Sequence, residues 1–83
     1  MTTIGPKKLM EIDRKLWNEL NVTSGGALRQ NPKKYGMYKK GVENAVKNSK
    51  ITEKTYRALE NENFHTMNMT LCKLKKYPKS LCK

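Results

Sequence analysis

The chain is predicted to fold as a small all-α domain of three to four helices. Three observations carry this expectation. Leu, Ile, Val, Met and the aromatic residues recur at spacings of three and four. Pro6 and Pro32 stand where the first turn of a helix tolerates proline. The strand-like alternation near the C-terminus breaks at Lys73-Leu74, where helical spacing survives. With 83 residues the chain holds one domain, 1–83, with residues 1–4 and 78–83 expected to be flexible ends. A core of this size contributes only about 3–5 kcal/mol of net stability unless something braces it.

The first helix opens at Gly5-Pro6. Leu9, Ile12, Leu16 and Leu20 form its apolar stripe, widened by Met10 and Trp17. Glu11 and Lys15 are an i,i+4 pair in the favourable order. Outer charges alternate in sign, which reads as scaffold. Asn21-Val22 ends the helix, and Thr23-Ser24-Gly25-Gly26 breaks the pattern. Two adjacent glycines suit either a flexible linker or a close backbone approach to a phosphate. No strand, glycine-rich loop and lysine pattern surrounds them, so the linker is preferred. Thr23 or Ser24 is placed to cap a short turn through Ala27, Leu28 and Arg29.

A second helix runs from Pro32 to about Asn48, capped by Asn31. At 100° per residue, Tyr35, Tyr38, Val42, Ala45 and Val46 fall within an arc of about 100°. Lys33, Lys40 and Lys47 recur every seven residues on the opposite side, and Lys34 and Lys39 flank the apolar arc. Gly36 and Gly41 lie outside the arc, as tolerated surface glycines or as points where a partner's backbone comes close.

A third helix starts at Thr52, its cap, with Ile51 stapled onto Tyr56. Tyr56, Leu59 and Ala58 are expected to face inward, and Asn61-Glu62-Asn63 ends the helix. Residues 66–77 read as a fourth helix, with Met67, Thr70, Leu71 and Leu74 in line. The runner-up is a C-terminal strand, with Met67, Met69 and Leu71 alternating with polar neighbours, which would make the domain a small α+β fold. Tyr77-Pro78 stops the element.

Charge points to a partner. Eighteen Lys and Arg stand against seven Asp and Glu, a net charge of +11. The excess sits in two blocks, residues 23–50 and 67–83; the second holds Lys73, Lys75, Lys76, Lys79 and Lys83 with no acid. Such an excess costs self-repulsion and fits a polyanionic partner. Lysine outnumbers arginine fifteen to three, which favours phosphate contacts over bidentate base reading. The segments 53–61 and 67–76 invite a helix-turn-helix-like reading of the C-terminal half. Asn68 and Thr70 would reach base edges, and Lys73, Lys75 and Lys76 would hold phosphates. The linking NENFH is longer than the usual turn and lacks its glycine.

Catalysis has little support. His65 has no nearby carboxylate in sequence, the acids are dispersed, and a Cys72–His65 pair is the only nucleophilic arrangement to consider. No cofactor motif is present, and Cys72, Cys82 and His65 fall short of four zinc ligands. No apolar run reaches the roughly 18 residues of a membrane span. The N-terminus lacks a signal-like apolar stretch, so an intracellular protein with two free thiols is expected. A Cys72–Cys82 disulfide is the alternative in an oxidising compartment.

The expected function is therefore that of a small basic nucleic-acid-binding protein, with DNA preferred to RNA. It would dock through Arg29, Lys33, Lys34, Lys40 and Lys47, assisted by the basic C-terminal segment. The alternative is a small inhibitor or adaptor that binds an acidic protein surface, such as that of a nucleic-acid enzyme. An amphipathic contact with an anionic membrane ranks last, because tyrosine, valine and alanine on the apolar arc suit a protein core.

Overall fold

The computed structural model describes residues 2–82. Met1 and Lys83, at the extremes of the expected flexible ends, lie outside the described residues. Among those residues the chain folds into five helices and one minimal parallel ladder. The order is β1 (Thr2–Thr3), α1 (Pro6–Leu20), α2 (Gly25–Gln30), α3 (Pro32–Val46), β2 (Ser49–Lys50), α4 (Glu53–Asn61) and α5 (His65–Lys73). The expected all-α class holds, and the helical reading of the C-terminal segment replaces the strand alternative.

Capping follows the sequence closely. Pro6 and Pro32 open α1 and α3 at positions whose N–H would have no helical partner. Asn31 Oδ1 accepts from the Lys34 N–H at 3.2 Å, and Thr52 Oγ1 accepts from the Thr55 N–H at 3.5 Å. Ser24 Oγ accepts from the Ala27 N–H at 3.0 Å and starts α2, so the double glycine opens a short helix and is not a flexible linker. Gly25 is needed there for space: a Cβ on it would collide with Thr66 Oγ1.

The core gathers Leu9, Leu28, Tyr38, Val42, Val46, Leu59, Met67 and Leu71, all fully buried. Each helix contributes at least one of them, so no pair of helices stands alone. Gly5 and Lys8 lie with Ala45 and Ser49 around one shallow hollow, while Ile12 and Leu16 meet Gly41 and Ala45 at another. Thus α1 runs antiparallel to α3. Gly41 permits that approach: a Cβ there would lie 2.6 Å from Leu16 Cδ2, whereas one on Gly36 would meet nothing within 4 Å. The room that Gly41 leaves is therefore filled by the Leu16 side chain of the chain's own first helix. Ala45, assigned to the core arc, is exposed, because α1 covers the arc's edge only partly.

Residues near both ends contact the body of the fold. Thr2 and Thr3 pair with Ser49 and Lys50, and the Ile4 N–H donates to the Lys50 carbonyl at 3.1 Å. Ile4 is buried. At the other end Tyr77 is buried against α4 and α5, and Cys72 is bonded to Cys82. The two thiols expected to be free form a disulfide because α5 ends at Lys73 and the chain then doubles back. Their Cα atoms stand 5.6 Å apart, within the span that a disulfide bridges.

That reversal starts from an uncommon backbone state. Lys75 has φ of 61°. Its N–H donates to the Cys72 carbonyl at 3.0 Å, and the Lys76 N–H donates to the Leu71 carbonyl at 2.9 Å. This is a Schellman closure of α5 with lysine where glycine is usual. Asn21 after α1 and Asn63 after α4 also take left-handed conformations, which asparagine tolerates better.

Candidate nucleic-acid interface

α3 divides into two faces. Tyr38, Val42 and Val46 are buried and Tyr35 is half-buried, while Lys33, Met37, Lys40, Asn44 and Lys47 lie outside. From Lys33 to Lys47 the outer row runs about 21 Å at 1.5 Å per residue. The longest dimension of the whole molecule is 29 Å, so this row crosses most of one side. Among the described residues the only ion pairs join Arg57 to Glu53 and Glu60, on α4. Among the described residues no carboxylate, Glu43 of the same helix included, forms an ion pair with the α3 lysines. Lys33 and Lys34 also occupy the first turn of α3, where the helix dipole is positive and no acid offsets it.

The C-terminal cations meet this helix at two points. Lys73 Nζ lies over the Tyr35 ring, 4.9 Å from its centroid. Lys76 Nζ donates to the Lys47 carbonyl at 3.3 Å, at the end of α3. The two basic blocks of the sequence therefore touch near both ends of one helix. Lys39 is exposed one turn after Tyr35, on the side where Lys73 sits. Lys75 is exposed on its left-handed turn. Arg29 lies in the last turn of α2, where its Nε donates to the Gly25 carbonyl at 3.2 Å; the side chain remains exposed. Lys34 is half-buried.

The residues expected to reach base edges lie elsewhere. Asn68 is 6% exposed and Thr70 fully buried. Asn68 Nδ2 donates to the Tyr56 carbonyl at 3.3 Å, and its Oδ1 accepts from the Tyr77 hydroxyl at 3.1 Å. The Thr70 hydroxyl donates to the Thr66 carbonyl at 2.7 Å and meets the Tyr35 hydroxyl at 3.3 Å. These side chains tie α5 to α3, α4 and the C-terminal turn, so neither is free to contact a base. The α4–α5 turn is the short one that a helix-turn-helix needs, residues 62–64, because α5 begins at His65 and not at Met67. The second helix nevertheless turns Thr66, Met67, Asn68, Thr70 and Leu71 inward. What it exposes is the strip of His65, Met69 and Lys73, which lacks both residues expected to read bases. The Cys72–His65 pair is also set aside, since the Cys72 sulfur is bonded to Cys82.

A buried polar contact lies beneath the outer face of α3. The Tyr38 hydroxyl donates to the Asp13 carboxylate across α3 and α1. Burial pushes the Asp13 carboxyl above the usual carboxylate range, opposed by the Tyr38 hydroxyl and more weakly by Trp17 and Arg14. The buried Trp17 N–H makes no hydrogen bond of full geometry. Burial also raises the Tyr38 and Tyr77 hydroxyls, so both stay neutral donors. Among the described residues no cluster of His, Cys, Asp or Glu has metal-binding geometry, and no helix is long and apolar enough to cross a membrane.

Comparison with known proteins yields no relative: no family model, curated protein or solved structure matches the chain.

Proposed function

We propose that this protein binds a polyanion, nucleic acid in the first instance, through phosphate contacts spread over the outer face of α3 and the adjoining C-terminal segment. The observation that carries the reading is the meeting of the two basic blocks, Lys73 on Tyr35 and Lys76 on the Lys47 carbonyl. A second observation supports it. Lys75 holds a left-handed conformation that costs a non-glycine residue roughly 1 kcal/mol, where glycine would be cheaper. A cation kept at such a position is accounted for by a ligand that uses it.

The mode is backbone docking with little sequence discrimination. Lysines supply point charges, and the side chains suited to base edges, Asn68 and Thr70, are committed inside the fold. A row of about 21 Å matches roughly six base pairs at 3.4 Å each. Duplex DNA is preferred because a straight row of cations fits a regular phosphate edge.

Titration of a labelled 20-base-pair duplex at several salt concentrations tests this. With four to six phosphates neutralised, log K should fall with log salt with a slope of about −4 to −5. Unrelated duplexes should bind within about tenfold of one another. Absence of binding at low salt would sink the reading and leave an acidic protein surface as the partner to seek.

A further inference from the structure

We propose that the Cys72–Cys82 disulfide is a reducible latch that pre-organises the C-terminal half of the basic surface. Its consequence for affinity rests on the polyanion reading above; the latch itself does not.

The segment 78–82 has little else to hold it. Its backbone hydrogen bonds are local, from the Leu81 N–H to the Pro78 carbonyl and from the Cys82 N–H to the Lys79 carbonyl. Beyond these, among the described residues, the half-buried Leu81 and the disulfide hold it to the body. The body, by contrast, does not depend on the bond. α5 is fixed by Met67, Leu71 and the Asn68 and Thr70 hydrogen bonds, and Tyr77 stands edge-on to Tyr56 at 4.9 Å between centroids. Opening the latch therefore frees a short segment without dismantling the core.

The bond is also reachable. Both cysteines line an open hollow of about 240 Å³ together with Tyr56, His65, Met69 and Leu81. That volume admits a small dithiol. One thiolate of the dithiol attacks a cystine sulfur and forms a mixed disulfide, while the other cysteine leaves as a thiolate and takes a proton. The second thiol of the dithiol then closes its own ring disulfide and releases the remaining cysteine. The protein gains two electrons and two protons, and the dithiol loses them.

The segment that the bond holds carries Lys79, beside Lys75 and Lys76, which the closing turn of α5 fixes on its own. With the bond intact, part of the ordering that binding requires is already in place; once it is opened, that ordering opposes association.

The test compares the full chain oxidised, reduced with dithiothreitol, and as the Cys72→Ser/Cys82→Ser variant. Reduction should speed tryptic cleavage after Lys79 by at least about tenfold while core amides such as Leu28, Val42 and Leu71 stay protected from exchange. Duplex affinity at fixed salt should fall by about three- to tenfold in the reduced and serine forms alike. Unchanged cleavage, resistance to dithiothreitol, or global unfolding on reduction would each overturn the latch. Equal affinity in all three forms would overturn its control of binding. Failure of every form to bind duplex would refute the polyanion reading, and the cleavage result would still judge the latch.

Discussion

α3 and α5 are both rich in polar residues, yet they use them in opposite ways. α3 is amphipathic in the simple sense: tyrosine and valine go inward, and lysines go to solvent without acidic partners. α5 turns Thr66, Asn68 and Thr70 inward, Asn68 and Thr70 with hydrogen-bond partners, and exposes His65, Met69 and Lys73. The 15-residue α3 packs against α1, α2 and α5 and still keeps a lysine-bearing face clear. The nine-residue α5, packed against α2, α3 and α4, leaves only the strip of His65, Met69 and Lys73 exposed. Polarity on a helix thus predicts a binding surface only when the helix has somewhere to be exposed.

The largest effect that would break this contrast is on α3. Reversing Lys33, Lys40 and Lys47 to Glu together should lower duplex affinity by more than about 100-fold at moderate salt, with the melting temperature little changed. The same reversal at Lys7, Lys8 and Lys15 on α1 should cost far less. Equal losses at both sets would mean that net charge, and not the α3 face, governs binding.

On α5 the expected effect is on stability. Asn68→Ala removes the acceptor of the buried Tyr77 hydroxyl and the donor to the Tyr56 carbonyl. It should cost about 1–3 kcal/mol in denaturant unfolding and leave the ranking of duplex sequences unchanged. A shift in sequence preference without loss of stability would restore Asn68 as a base reader.

The glycines of α3 sharpen the same contrast. Gly36→Ala should stabilise by up to about 1 kcal/mol, because the site is open and alanine is the better helix former. Gly41→Ala should forfeit that gain, since Leu16 must move aside.

Asp13 gives a pH-dependent effect beneath both helices. Its folded proton affinity lies above that of the unfolded chain, so the folded state holds more protons in the intervening window. The stability from that proton is fully present below the ordinary value of 3.8 and is lost as pH rises through the raised folded value. Asp13→Asn keeps an acceptor for Tyr38 and should gain stability relative to wild type as pH is raised across that window. Denaturant melts at several pH values check it; a constant difference between the two proteins would contradict the assignment.

Much of the fold was legible in the sequence because caps and stripes are local. Pro6, Asn31, Pro32 and Thr52 mark helix starts correctly, and the arc of Tyr38, Val42 and Val46 is the core face of α3. The role of the double glycine and the contacts of Ile4 and Cys82 were not legible, because their partners are distant in sequence: Thr66 for Gly25, Lys50 for Ile4, Cys72 for Cys82. The same reason explains the site. Single-helix periodicity identified the lysine row on α3, but the burial of Asn68 and Thr70 depends on Tyr56, Tyr77 and Tyr35, which no local pattern links to them.

The most direct test of the central claim is to follow the backbone amides of the oxidised protein by NMR as duplex is added at low salt. Shifts should concentrate at Lys33, Met37, Lys40, Asn44 and Lys47 and at Lys75 and Lys76, and should fade together as salt is raised. Shifts centred on the α4–α5 turn and on Asn68 and Thr70, or no shifts at all, would contradict it.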